Sequence, residues 1–169
     1  MDKTPVYKKN VAIIGGGTVS HVKSHLALSA PAYGSTARRL KEICAEHSDK
    51  LDIDLYLTRM ANSGRGDLET NEDIAKLVEE LKQDVQTKII FFNPAMTDFN
   101  GIVYLSDPYK DRGETKWPTP SGKYADRLKT RDLSDRTDMG LFKNRRSWFT
   151  RKKPFNYGGI TKRYKEGSS

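Results

Sequence analysis

Gly15, Gly16, Gly17 and Thr18 close the apolar run VAII, and consecutive glycines at such a place can bring backbone N–H groups close to phosphate oxygens. The spacing fits neither common phosphate loop. A dinucleotide fingerprint needs glycine at position 20, where Ser20 stands, and a P-loop needs a Gly-Lys-Ser/Thr ending that is missing. A tight turn after a buried strand accounts for the glycines equally well. His21 and His25, four residues apart, are spaced like two metal ligands on one helical face, but no nearby carboxylate completes the set, so they read as polar or substrate-contacting residues. Cys44 and His47 have the types of a nucleophile and a base, yet Cys44 belongs to an apolar helical face and reads as packing. Arg59 follows a strand at the point where dinucleotide folds read the ribose, and its guanidinium suits a 2′-phosphate.

These residues need elements to hold them. Residues 11–16 are β-branched and apolar before the glycines, which predicts a buried parallel strand. Residues 35–47 place Ala37, Leu40, Ile43 and Cys44 at helical spacing behind Ser35 or Thr36 as cap. Leu51, Ile53, Leu55 and Leu57 alternate as in a half-buried strand, and Ile74, Leu77, Val78 and Leu81 line one face of a second helix capped by Thr70 or Asn71. Residues 88–96 form another strand, and 101–105 one more short one. This order predicts an α/β core over residues 1–108: a Rossmann-like, mainly parallel sheet with flanking helices and a ligand crevice beyond the carboxyl ends of its strands. The long stretch between Thr18 and Gly34 reads as a loop over that crevice, a lid or wall.

Beyond residue 107 the periodicity fades. Residues 109–169 read as a basic, loop-rich arm, with loops, a hairpin and an extended segment and with scattered Trp117, Phe142, Trp148, Phe149, Phe155 and Tyr157, which completes the site or an interface. Residues 1–109 carry 13 Lys and Arg against 15 Asp and Glu, whereas residues 110–169 carry 17 against 7, so the net charge of +8 originates entirely in the last third. Such a segment, with aromatic residues between its cations, suits nucleic acid or an acidic partner; packing on the core or on a second subunit is the plainer expectation. Cys44 is the only cysteine, which excludes an internal disulfide and a multi-cysteine zinc site. The first ten residues lack the apolar core of a signal peptide and no run reaches membrane-spanning length, so a soluble, cytoplasmic protein is expected.

Four segments, taken in order, resemble the phosphopantothenoylcysteine synthetases, the carboxyl-terminal half of many coenzyme A flavoproteins. They are GGT at 16–18, SAPAYG at 29–34, LETNEDI at 68–74 and PAMTDF at 94–99. A fifth, ADRLKTRD at 125–132, is similar to the family's Lys-Ile-Lys segment, with Lys129 the best match. The resemblance implies a ligase that activates a small carboxylate with CTP or ATP and Mg2+, forms an acyl-nucleotide and passes the acyl group to an amino acid. It implies phosphate contacts from Gly15, Gly16, Gly17, Thr18, Ser29 and Gly34, a nucleotide or metal role for Asp98, a triphosphate role for Lys129, and Phe99 beside the base or sugar. Family members usually dimerise, so a homodimer is implied as well. The chain departs from the pattern where the family has Asn, Ser-Ser and Gly-Lys: here stand Ala27, Ser29-Ala30 and Pro31-Ala32. Losing one well-placed donor costs about a hundredfold in rate. Nucleotide binding is therefore the firmer expectation, and a diverged or inactive ligase stands beside a working one.

Overall fold

The computed structural model describes residues 9–47, 51–106, 116–129 and 137–144; the arm over 145–169 and the His47 side chain lie outside them. Strand β1 (Lys9–Gly17) is central to a parallel three-stranded sheet, flanked by β4 (Leu51–Leu57) on one side and β5 (Thr87–Ala95) on the other. Register places Ile13 between Leu55 and Phe91, and Ile14 between Tyr56 and Phe92. Because side chains alternate across a strand, β1 is apolar on both faces, as a doubly covered strand must be. Helix α1 (Ser35–His47) covers the Val11 and Ile13 face through Ala37, and α2 (Asn71–Gln83) covers the Ala12 and Ile14 face through Ile74 and Leu81. The helices take opposite faces because the chain moves from β1 outward to β4 and then returns across β1 to β5, and both crossovers keep one hand. That reversal puts the switch point of the sheet between the carboxyl ends of β1 and β5.

Three expectations are corrected. The glycines do not form a turn: β1 runs through Gly17, whose N–H donates to the carbonyl of Ala32 at 2.8 Å, and Thr18 N–H donates to Ala95 at 2.9 Å. The stretch after Thr18 is a β-hairpin, β2 (Val19–Lys23) with β3 (Leu26–Ser29), because so long a segment needs partners for its backbone groups and the hairpin supplies them internally. His21 and His25 accordingly share no helical face. The strands found beyond residue 107 do not form a hairpin with each other: β7 (Lys116–Pro118) and β8 (Asp138–Lys143) flank β6 (Phe99–Ser106) in a second, antiparallel sheet.

The hairpin packs on β6 where Gly101 leaves room; a Cβ there would lie 2.7 Å from Cγ2 of Val22. After β7 the chain returns as a strap over residues 119–125. Thr119 N–H bonds the carbonyl of Val103 at 2.9 Å, Gly122 N–H that of Val22 at 3.3 Å, and Ser24 N–H that of Ala125 at 3.0 Å. Lys23, buried at 3% exposure, sends its ammonium to the carbonyl of Pro120 at 2.5 Å. A buried ammonium is costly without a partner, so this bond fixes the strap against β2. Among the described residues no helix is long and apolar enough to cross a membrane.

Candidate functional site

Thr18, directly after β1, is fully buried and its hydroxyl donates to Oδ1 of Asn71 at 2.6 Å. Thr97, two residues after the end of β5, sends its N–H to Oγ1 of Thr18 at 2.9 Å and receives Nδ2 of Asn71 on its carbonyl at 2.9 Å. Asn71 is the first residue of α2, whose start is set by a capping box between Thr70 and Asp73. This buried network ties β1, α2 and the turn after β5 together at the switch point. Two clefts open beside it.

The first, of about 290 Å3, has apolar walls from Leu28, Met96, Phe99 and Leu141 and polar groups from Ser29, Thr97 and Asp98. Thr97 is only 5% exposed and its Oγ1 has no hydrogen-bond partner, although its backbone groups are fully used. Buried hydroxyls normally find a partner, and this one, like that of Thr58, has none. Across the antiparallel pair Lys143 lies opposite Phe99, on the same face of the sheet, and Asn144 N–H bonds the carbonyl of Asp98 at 2.7 Å.

The second cleft, of about 460 Å3, is ionic. Its centre is Glu69, whose Oε2 lies 2.5 Å from Nζ of Lys123, 3.4 Å from Nη1 of Arg59 and 3.5 Å from Nε2 of His21. Partial burial pushes the Glu69 carboxyl up, but the Lys123 hydrogen bond and the charges of Lys123, Arg59 and His21 outweigh it and hold the group below its ordinary value. The same bond holds the Lys123 ammonium above its ordinary value. Burial likewise pushes Asp73 up, while the N–H groups of Thr70 and Glu69 and the Thr70 hydroxyl bring it below the ordinary carboxyl value. Asp67, Glu72, Asn100 and the 92% exposed Tyr124 complete the walls and rim.

Of the residues expected to bind a nucleotide, the structure brings Ser29, Asp98 and Phe99 into the first cleft. Gly17 lies beneath its wall: a Cβ would sit 2.1 Å from the carbonyl oxygen of Ala30. Gly15 and Gly16 pack against Ala37 and Thr58, and Thr18 acts from the buried network. Gly34, at φ 72°, precedes α1, and its carbonyl accepts Arg38 N–H at 3.0 Å, so the helix begins at Ser35. Lys129 and Lys143 are both exposed and line neither cleft, but Lys143 pairs across the sheet with Phe99, which does. Arg59 and His21 line the ionic cleft, while Cys44 is half-buried in α1.

Sequence reasoning missed Thr97, Lys143, Glu69 and Lys123. Thr97 comes just after β5, and that position is the signal that could have singled it out. Glu69 stands immediately before the N-cap of α2. Lys123 and Lys143 carry no local signal. Compared with protein families, curated proteins and solved structures, the chain matches none.

Proposed function

We propose that the chain binds a nucleotide, CTP or ATP, at the carboxyl ends of a Rossmann-like sheet, as a diverged relative of the phosphopantothenoylcysteine synthetases. The observation that carries this reading is the meeting of Ser29, Asp98 and Phe99 in one cleft with the unpartnered Thr97 hydroxyl. Pockets of this kind combine apolar walls with a few placed polar groups. The base lies between Phe99 and Leu28, the Thr97 and Ser29 hydroxyls meet polar atoms of base or sugar, and Lys143 takes the phosphate role that the resemblance gives to Lys129. Asp98 is the carboxylate for magnesium. A magnesium ion keeps several waters and arrives on the phosphates, needing one or two protein carboxylates, so a single aspartate is a fitting donor set. Activation of a small carboxylate would follow from the same binding. The substituted segment 27–32 lacks the family's amide and lysine donors, which favours binding over turnover.

Thermal unfolding with nucleotide and Mg2+ tests this reading. CTP or ATP raises Tm in the parent chain, and Asp98→Ala abolishes the rise. Thr97→Val provides a sharper signature: removing an orphan hydroxyl leaves the ligand-free protein as stable or about 1 kcal/mol more stable, yet weakens nucleotide binding about tenfold. No rise with either nucleotide, or an undiminished rise in Asp98→Ala, refutes the reading.

A further inference from the structure

We propose that the ionic cleft is a separate site for a tetrahedral oxyanion of the phosphate or sulfate kind, and that Glu69 occupies the anion's place in the ligand-free protein. Three donors from three parts of the chain converge on a single oxygen of Glu69: Lys123 from the strap, Arg59 from the end of β4, and His21 from the hairpin. Only Lys123 is close, at 2.5 Å; the other two stand off at 3.4 and 3.5 Å. A planar carboxylate therefore serves one donor well and two poorly. A tetrahedral anion presents oxygens in several directions and can serve all three.

Arg59 and Lys123 are permanent cations facing Glu69. Asp73, whose Oδ2 accepts from the N–H groups of Glu69 and Thr70 at 3.0 and 2.8 Å and from the Thr70 hydroxyl at 2.9 Å, also feels the charge of Lys123, so two cations meet two carboxylates at the inner end and an incoming anion takes its place by displacing the Glu69 carboxylate, not through a surplus of positive charge. Asp67 and Glu72 are exposed to water at the mouth. Nε2 of His21 is buried without a hydrogen-bond partner, and Glu69 is too far away to supply one.

The donors are also held in place before any ligand arrives. The strap bearing Lys123 is fixed by backbone bonds of Gly122 to Val22 and of Ala125 to Ser24. Arg59 is fixed by its N–H on Leu68 at 2.7 Å and by Nε on the carbonyl of Gly64 at 3.2 Å. Prearranged donors lower the cost of ordering on binding. None of Ser29, Thr97, Asp98 or Phe99 lines this cleft, so the inference stands or falls apart from the nucleotide reading.

Titration calorimetry on the full chain with inorganic phosphate and with phenyl phosphate, at ionic strength held constant with NaCl, tests the proposal. Both bind saturably at one site, and Lys123→Gln or Arg59→Gln weakens binding at least about tenfold. Glu69→Gln gives the distinctive result, because removing the internal competitor tightens binding about tenfold although the net charge of the cleft changes by only one. Phenyl phosphate binding more tightly than phosphate, with the difference lost in Tyr124→Ala, identifies an organic phosphate as the natural form; equal affinities identify the free anion. Melting curves confirm that each variant is folded. Absence of saturable binding in both the parent and Glu69→Gln, weaker binding in Glu69→Gln, or unchanged binding in folded Lys123→Gln overturns the proposal.

Discussion

The two clefts lie on either side of one buried network and differ in how they meet their polar requirements. The ionic cleft meets most of its own needs: Glu69 is drawn to Lys123, Arg59 and His21 and the capping box absorbs Asp73, although Nε2 of His21 keeps no hydrogen-bond partner. The apolar cleft leaves the Thr97 hydroxyl buried with nothing to bond, in a wall shared with Leu28, Met96 and Leu141. The difference teaches that a polar group reveals a binding site in two ways. It can be left without a partner, or it can be given a partner that an incoming ligand is able to replace. On the two proposals, a ligand would add bonds in the first cleft and exchange them in the second.

Removing the shared network is the harshest way to break this comparison. Asn71→Ala deletes the acceptor of the Thr18 hydroxyl and the donor to the Thr97 carbonyl, both buried, and is expected to cost about 2–3 kcal/mol in denaturant unfolding. Its effect on binding should be unequal. Thr97 depends on Asn71 directly, so the nucleotide-induced rise in Tm disappears, while phosphate binding falls by less because Lys123 and Arg59 are anchored elsewhere.

Gly17→Ala strikes one side only and is expected to cost somewhat less. The new Cβ would meet the Ala30 carbonyl oxygen at 2.1 Å and the Ala32 nitrogen at 2.6 Å, and both are backbone atoms that can yield only by moving the wall of the apolar cleft. Overpacking of this kind costs about 1–3 kcal/mol. Nucleotide binding is lost and phosphate binding is kept. Equal loss at both clefts would show that they respond as one unit and would remove the distinction drawn between them.

The same contrast separates what was legible in the sequence from what was not. The parallel sheet and its two helices were readable because β1 and α2 write their burial into periodic runs, and Thr70 with Asp73 spells a capping box. The hairpin was not, because β2 and β3 are short, polar on one side, and broken in register between His21 and Lys23. Nor was the second sheet. Residues 138–143 carry no apolar alternation strong enough to mark a strand and owe their state to pairing with β6, where Leu141 faces Gly101. Asp98, Phe99 and Ser29 were found through a resemblance, whereas the pairing of Glu69 with Lys123, 54 residues apart, exists only once the strap is in place.

Acid provides the mildest test, and of the two clefts the ionic one is where carboxyls are held below their ordinary values. Glu69 and Asp73 both have carboxyls held below their ordinary values of 4.5 and 3.8 in the folded protein. The folded state therefore binds protons less readily than the unfolded chain. Stability from these groups is complete above those ordinary values and is lost as pH falls through the lower folded ones. At pH 7, Glu69→Gln should melt about 1–3 °C below the parent, the small effect expected of a half-exposed ionic cluster. As the pH drops below about 4 the two curves should converge, because the parent then loses the charge that the variant never had. Thr97→Val, in the cleft without titrating partners at that hydroxyl, should keep a constant offset from the parent across the same range. A gap between parent and Glu69→Gln that persists undiminished to pH 2 would mean that Glu69 acts through packing rather than charge, and the ionic cleft would then lose the replaceable partner on which its contrast with the apolar one depends.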